Sequence, residues 1–524
     1  MPEPPPPCTD IACDVLVVGG GINGVGIARD LAGRGLSVVL VEKDDLASHT
    51  SSASTKLIHG GLRYLEHYEF ALVRKSLAER EVLLRSAPHI MWPLRFVMPH
   101  DPGMRPVWMI RAGLFLYDHL ARRELLPGSG TILLHGHPVG APLKKHYTKA
   151  FVYSDVWVDD ARLVVLSAVD AAERGATVLT RTTCVDARRT ASEWHATLCD
   201  AAGRSRRVRA RALVNAAGPW AAQFLVDHAH VPQRRSLRLV KGSHIVVPKL
   251  FDHDHAYIFQ NPDQRIIFAI PYEGDFTLLG TTDVEHTGPI GAPRIDPGEL
   301  AYLCDQASRY FEHRVSPGDV VHTFSGVRPL LDDETDDPSA VTRDYALEME
   351  VSLAPLLSVW GGKLTTFRKL AEEASDLLAG PLAAPRGAWT EHAVLPGGDL
   401  WASGGGTEVP MGDVVGGFER FVEALSARHP ELPRAVCLRL ARQYGSRANQ
   451  VIADKPLGDP IAPGLFEAEL AYLHAHEWAR SAEDVLWRRT KLGLHYDTAQ
   501  REAVSRWCES QWQDHCVAAE SAWR

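Results

Sequence analysis

The sequence predicts an α/β protein in three parts: a parallel βαβ unit, an antiparallel sheet that interrupts it, and an all-helical C-terminal domain. Three observations predict this. An apolar run of strand length at residues 14–18 enters the string GGGING at 19–24, and a helical segment and a second apolar run at 37–41 follow. Between residues 241 and 284 four short strand-length runs (243–247, 256–260, 265–270 and 276–280) alternate with turns, the grammar of an antiparallel sheet. From Phe418 to the end the apolar spacing is helical and rich in tryptophan.

At about 150 residues per domain, a chain of 524 residues holds roughly two to four domains. Its 45% hydrophobic and 23% charged residues exclude collagen, a coiled coil and wholesale disorder. A net charge of −9 supplies no positive field for phosphate backbones, so nucleic acid is not an expected partner. The eight cysteines show neither CxxC spacing nor zinc-ligand spacing with histidine, and read as reduced thiols of a cytoplasmic protein. Residues 1–10 form a proline-rich stub without the basic and apolar regions of a signal peptide. The longest uncharged stretch, 125–143, carries three prolines and four glycines and cannot span a bilayer. Any membrane contact is therefore expected at the surface.

The elements follow in order. Gly19, Gly21 and Gly24 satisfy GxGxxG between a buried strand and a helix that runs through Arg29 and Leu31 to Gly35. The glycines let backbone approach a pyrophosphate, and the helix N-terminus offers unpaired N–H groups and the positive end of its dipole. The strand at 37–41 then delivers Glu42, placed to accept hydrogen bonds from a ribose diol. A helix at 160–174 and a strand at 176–180 form a second βαβ-like stretch within 156–185, and the alternating arginines of 204–211 read as the solvated edge of a hairpin. Residues 359–366 return to strand–glycine–helix grammar, with a helix at 366–378. The expected organisation is nucleotide-binding segments at 10–95, 151–235 and 321–385. A cap or membrane-surface segment falls at 96–150, the antiparallel substrate cap at 236–320, a linker at 386–417 and the helical domain at 418–524.

NAD and FAD share the glycine fingerprint, and the rest of the chain decides between them. No second GxGxxG lies between a strand and a helix, so a separate NAD(P)H domain is not expected. No Cys-x4-Cys follows the first helix, which removes a dithiol relay. The reductant must then meet a flavin directly, and the expected cofactor is FAD.

Several strings are more specific than the glycine motif: GGGING (19–24), TSSASTKLIHGGLRYL (50–65), KGSHIVV (241–247), GTTD (280–283), SGVRPL (325–330), VTRDY (341–345) and GGKLTT (361–366). Together with residues 484–491, they resemble the FAD-dependent glycerol-3-phosphate dehydrogenase family along nearly the whole chain. The resemblance implies a glutathione-reductase-type FAD-binding domain with an interrupted Rossmann βαβ unit, an antiparallel substrate cap and a C-terminal helical domain. It also implies a homodimer, peripheral on the inner face of the cytoplasmic membrane, that oxidises glycerol 3-phosphate and passes electrons to membrane quinone.

The chemistry of the residues agrees. Oxidising a secondary alcohol by hydride transfer needs an electron sink, a base for the hydroxyl proton, and an anchor for the carbinol carbon. Arginine forks suit a phosphate anchor, and Arg63, Arg328 and Arg343 lie in the matching strings, with Tyr64 and Thr281 as further substrate contacts. His244 is the candidate base, because imidazole titrates near working pH. Arg328 is its rival for handling the hydroxyl proton, by stabilising a developing alkoxide. Lys363, between a strand end and a helix start, is placed to stabilise negative charge on reduced flavin. With Gly19, Gly21, Ile22, Asn23, Gly24 and Glu42, the cofactor contacts implied are Ser51, Ser52, Ser54, Lys56, His59, Gly61, Val185, Gly218, Trp220, Gly362, Leu364 and Thr365. His59 is not expected to carry a covalent flavin. No metal site is expected: the acidic run 332–337 lacks the ligand spacing of a calcium loop.

Residues 105–123 are apolar, aromatic and flanked by arginine, which suits an interfacial helix and a buried core helix equally. Three rival functions stand beside the dehydrogenase. They are a glycerophosphate oxidase using oxygen, an amine oxidase like D-amino-acid oxidase, and a non-catalytic FAD sensor.

Overall fold

The computed structural model describes residues 10–101, 105–263, 265–331, 344–400, 414–452 and 457–512. The expected first strand is longer than its apolar run, Ile11–Val18, because Ile11, Ala12 and Cys13 pair in parallel with Val208, Arg209 and Ala210. It leads through Gly19 into the helix Ile22–Gly33 and then to the strand Val38–Val41. Glycines decide how closely this helix packs. A Cβ on Gly24 would stand 1.8 Å from the Gly19 carbonyl oxygen, and one on Gly33 would stand 2.2 Å from the Trp389 ring. The helix is accordingly seated between Asp160–Glu173 and Phe367–Leu382, over a core that includes Val15, Val25, Leu31, Leu40 and Leu370.

Two large sheets build the molecule. The nucleotide sheet has eight strands, with Leu356–Gly361, Ser205–Asn215, Ile11–Val18, Val38–Val41 and Thr177–Leu179 running parallel in that order to one edge. The cap sheet has ten, among them the expected Ala256–Gln260 and Phe276–Gly280. Its longest pairing joins Leu237–Pro248 to His322–Leu331, so that Val240 faces Arg328 and His244 faces Phe324. One cap face packs on the helix Pro297–Tyr310, with the Phe259 and Tyr310 rings stacked 4.0 Å apart. The helix starts at a capping box made by Asp296 and Glu299.

Several expectations need correction. The strand Lys149–Val158 pairs with Met91–Pro99 in the cap sheet, so residues 156–185 are no βαβ unit of one sheet. Its continuous apolar run marks a strand buried on both faces, and that pattern does not say in which sheet. Met91–Pro99 and His322–Leu331 also extend the cap beyond 236–320. Ser205–Asn215 is no edge: it is held by Trp194–Asp200 on one side and Ile11–Val18 on the other. Its arginines alternate outward from an interior strand.

The C-terminal domain is not all helical, since Pro460–Ala462 and Leu465–Phe466 form a small hairpin. Nor is it separate. Arg162 in the nucleotide half makes a buried two-pronged pair with Glu477, Arg489 grips both oxygens of Asp45 at 2.6 and 2.8 Å, and Lys491 meets Asp159 at 2.9 Å. For residues 105–123 the core reading fails. In the helix Val107–His119 only Leu114 and Tyr117 are buried, while Trp108 and Phe115 are 68% and 64% exposed. Among the described residues no helix is long and apolar enough to cross a membrane. The acidic run 332–337 lies outside the described residues.

Candidate active site

The glycine turn opens onto a cavity of about 370 Å3 whose wall includes Gly19, Gly21, Ile22, Asn23, Glu42 and Ser51. The Ser51 hydroxyl accepts from the Ile22 amide at 3.0 Å, so this serine stands at the N-terminus of the first helix. Glu42 is buried, and its two oxygens accept from the amides of Gly20 (2.7 Å) and Asp44 (2.9 Å). Burial pushes its pKa up against those hydrogen bonds. Carboxylate oxygens carry further lone pairs for a diol. The opposite wall is Gly218, Trp220 and Phe224, with the Trp220 ring under the Lys43 ammonium at 3.8 Å and edge-on to His49. Glu42, Asp44 and His49 place ligand atoms within 4.8 Å of one another, but Asp44 and His49 are already paired at 2.7 Å.

A second cavity of about 280 Å3 continues from the first and shares Ile22, Thr50, Ser51, Pro329 and Gly362 with it. Here the two halves of the chain meet. The nucleotide half contributes Ser54, Thr55, His59, Gly61, Tyr64, Lys363, Leu364 and Thr365, and the cap contributes His244, Thr281, Asp283 and Arg328. Arg328 is held by three hydrogen bonds: from Nη2 to the Thr281 hydroxyl at 2.8 Å and to the Thr282 carbonyl at 3.4 Å, and from Nη1 to Asp283. Gly242 makes room for it, since a Cβ there would stand 2.1 Å from Nη2. Lys363 precedes the turn Leu364–Thr366, and its ammonium lies 3.7 Å over the Tyr64 ring. The amide of His59 donates to the Thr365 hydroxyl at 3.3 Å. His244 is 1% exposed. Burial first, then Arg328 and Lys56, hold its pKa well below the ordinary value, so its ring is neutral at working pH.

The structure thus gathers most of the expected residues along one channel, but not all. Lys56 lines neither cavity. It is 2% exposed, and its Nζ is engaged by Asp160 at 2.8 Å and the Ser52 carbonyl at 3.0 Å. Ser52 lines neither cavity, and Ser54 gives its hydroxyl to Asp160 at 2.7 Å while edging the second. Val185 is exposed at the bulge of Thr182–Arg189 and turns away, while its neighbours Thr183 and Cys184 line the first cavity. Gly24 touches neither cavity and serves the close helix–strand approach. Arg343 and the Arg63 side chain lie outside the described residues.

Thr55, Asp283 and Asp160 were given no role from the sequence. The string TSSASTK did flag Thr55, but its bond to His244 crosses 189 residues of chain.

The channel fits FAD. The bare Gly218 backbone, at φ +56°, borders open space on its wall. The buried Oδ1 of Asn23, among the described residues, has no hydrogen-bond partner. The helix N-terminus, Ser51 and Glu42 suit a pyrophosphate and a ribose, and the second cavity receives the rest.

Comparison with known proteins agrees. Residues 14–368 match the family model for FAD dependent oxidoreductases, and residues 388–512 match the C-terminal domain of alpha-glycerophosphate oxidase. The chain is 52% identical over 504 residues to a glycerol-3-phosphate dehydrogenase of Pseudomonas aeruginosa, covering 95% of each. It is 51% identical over 504 residues to a D-erythritol 1-phosphate dehydrogenase of Brucella abortus, covering 95% of this chain and 98% of that one. The solved glycerol-3-phosphate dehydrogenase of Bacillus halodurans, complexed with FAD, superposes with a TM-score of 0.76 at 27% identity, over 97% of this chain and 92% of that one. By the family model, the relatives and the channel together, this chain belongs to the FAD dependent oxidoreductase family.

Proposed function

We propose that the protein oxidises sn-glycerol 3-phosphate to dihydroxyacetone phosphate, with FAD as the hydride acceptor and membrane quinone as the final one. The observation that carries this reading is the meeting, in one cavity continuous with the dinucleotide channel, of a fixed arginine fork, a lysine and a neutral buried histidine. The P. aeruginosa relative carries the matching name.

Bound FAD supplies a two-electron sink for the carbinol hydrogen. The chain's own residues do the rest. Arg328, steadied by Thr281 and Asp283, presents its remaining N–H donors to an anionic oxygen of the substrate. On the family resemblance alone, Arg63 and Arg343 are assigned to the same phosphate anchor. His244, held neutral, is ready to gain the hydroxyl proton at the moment the C–H bond breaks. Lys363, at a helix start, favours negative charge beside the flavin.

Anaerobic mixing with sn-glycerol 3-phosphate is expected to bleach the flavin absorbance, while free glycerol and D-amino acids leave it unchanged. Re-oxidation is expected to be faster with a quinone analogue than with air; the reverse order makes the enzyme an oxidase. The B. abortus relative motivates a second reading, a tetritol phosphate one carbon longer. Faster bleaching by D-erythritol 1-phosphate than by sn-glycerol 3-phosphate would replace the first reading with that one.

We also infer a homodimer, on the family resemblance, and a peripheral location on the inner membrane face. The membrane reading is supported by the helix Val107–His119, whose exposed Trp108, Met109, Phe115 and Leu116 are flanked by Arg105, Arg122 and Arg123, with Tyr68 also exposed. Inserting one large apolar side chain is worth about 1.5–3 kcal/mol. The double variant Trp108→Ser/Phe115→Ser is therefore expected to bind vesicles containing anionic lipid at least about 10-fold more weakly, with flavin reduction in solution unaffected. Flotation of both proteins with such vesicles measures this, and equal flotation contradicts the assignment.

A further inference from the structure

We propose that Thr55 is a further catalytic residue, whose hydroxyl passes the substrate's proton from the cavity to Nε2 of His244. The proposal rests on the reading above, in which this cavity oxidises sn-glycerol 3-phosphate with His244 as the base.

The His244 ring is clamped. Phe324 stacks on it at 4.8 Å and 16°. At its edge, a Cβ on Gly280 would stand 2.2 Å from the ring Cδ2 and 2.9 Å from Nε2, so only a glycine leaves room. Lys56 lies 4.9 Å from the Phe324 ring centre and is itself fixed by Asp160, which ties the stack to the nucleotide half. The ring forms part of the cavity wall, but it is 1% exposed and its buried Nδ1 has no hydrogen-bond partner among the described residues. The other nitrogen, Nε2, lies 3.0 Å from the Thr55 hydroxyl oxygen. Thr55 is half-buried and lines the same cavity as Thr281, Arg328 and Lys363. A proton leaving a substrate in this cavity therefore meets the threonine hydroxyl before it meets an imidazole nitrogen.

The chemistry balances. The substrate O–H gives its proton to the Thr55 oxygen as the Thr55 O–H gives its own proton to Nε2. The carbinol carbon loses its hydrogen with the bonding pair to the flavin, and C–O becomes C=O. The threonine ends as it began, His244 ends as imidazolium, and two electrons have left the substrate. A hydroxyl can do this because it donates and accepts at one atom. The groups facing the ring, Arg328 from the cap and Lys56 across Phe324, are both cationic, so the neutral imidazole is the resting form.

The test is stopped-flow anaerobic reduction of the holoenzyme by sn-glycerol 3-phosphate. Thr55→Val, which keeps the shape and removes the hydroxyl, is expected to reduce its flavin about 10²–10³-fold more slowly. Thr55→Ser is expected to stay near the native rate, and both variants to bind dihydroxyacetone phosphate with native affinity, read from the flavin spectrum. Rates in mixed H2O and D2O are expected to give a curved proton inventory for the native and Ser proteins, because two hydroxyl protons move together. A residue that only positions the histidine would leave that plot linear. If Thr55→Val reduces at the native rate while His244→Gln is slow, the relay is overturned and His244 stands as a direct base. If His244→Gln is also fast, the reading of His244 as base falls as well. Should Thr55→Val purify without flavin, the native inventory decides by itself, and a straight line overturns the relay.

Discussion

Arg328→Ala is expected to slow flavin reduction by sn-glycerol 3-phosphate by about 10²–10³-fold, the usual cost of losing one fixed donor to charge that develops in the transition state. The guanidinium is pre-aimed. Thr281, Thr282 and Asp283 hold it, and Gly242 leaves space beneath it, so no ordering cost falls on the reaction itself. The flavin content of the variant is expected to match the native protein, because the pyrophosphate and ribose contacts line the first cavity, which Arg328 does not border. Arg328→Lys keeps the charge and loses the fork, and should fall between the two. Removing the arginine also takes a cationic partner from Asp283 at the cavity. Arg328→Ala/Asp283→Asn should therefore regain stability without regaining rate. Single-turnover reduction together with thermal unfolding separates these effects, and a native reduction rate in Arg328→Ala would remove it from the catalytic machinery.

The parts of this site that the sequence made legible are those in which chemistry is local. Gly19 to Glu42 is one continuous piece of chain in which strand, turn, helix and acid follow from spacing, and the structure assembles it as read, with Gly20 bonded to Glu42. Short strands between turns were equally visible, down to the bounds of Ala256–Gln260 and Phe276–Gly280. Pairings between distant segments were not visible. Lys56 was a cofactor contact by family resemblance, yet Asp160, 104 residues away, captures it. Val185 is displaced by a β-bulge between Cys184 and Asp186, and a shift of one residue turns a side chain to the other face. The helix Val107–His119 was undecided because composition cannot distinguish lipid from protein interior; its exposure removes only the core reading.

Glu477→Gln is expected to destabilise the protein by about 3–5 kcal/mol, the cost of breaking a buried ion pair by removing one partner. Arg162 is fully buried between the two domains. It grips Glu477 with both prongs, at 2.9 Å on Oε1, and gives the Gln443 carbonyl two more bonds at 2.8 and 3.2 Å. A neutral amide leaves that cation inside the protein without its counter-charge. The paired change Arg162→Met/Glu477→Leu should restore much of the loss, since apolar groups need no partner. The neighbouring clamp adds a dependence on acid. Burial alone would raise the Asp45 carboxyl, but Arg489 and Arg488 outweigh it and bring the pKa from 3.8 to about 2. A depressed carboxyl contributes its stability above the unfolded value and loses it as pH falls through the folded one. The docking of the C-terminal domain should therefore hold at pH 5 and weaken between about pH 4 and pH 2, and Asp45→Asn should remove that acid limb and lower stability at neutral pH. Asp45 stands on the loop between Glu42 and Ser51, which walls the dinucleotide channel. Loss of flavin on acidification should consequently follow the release of the helical domain, measured as free flavin fluorescence against limited proteolysis of the whole chain. Flavin that leaves while the domain stays docked would show that the clamp and the channel are independent.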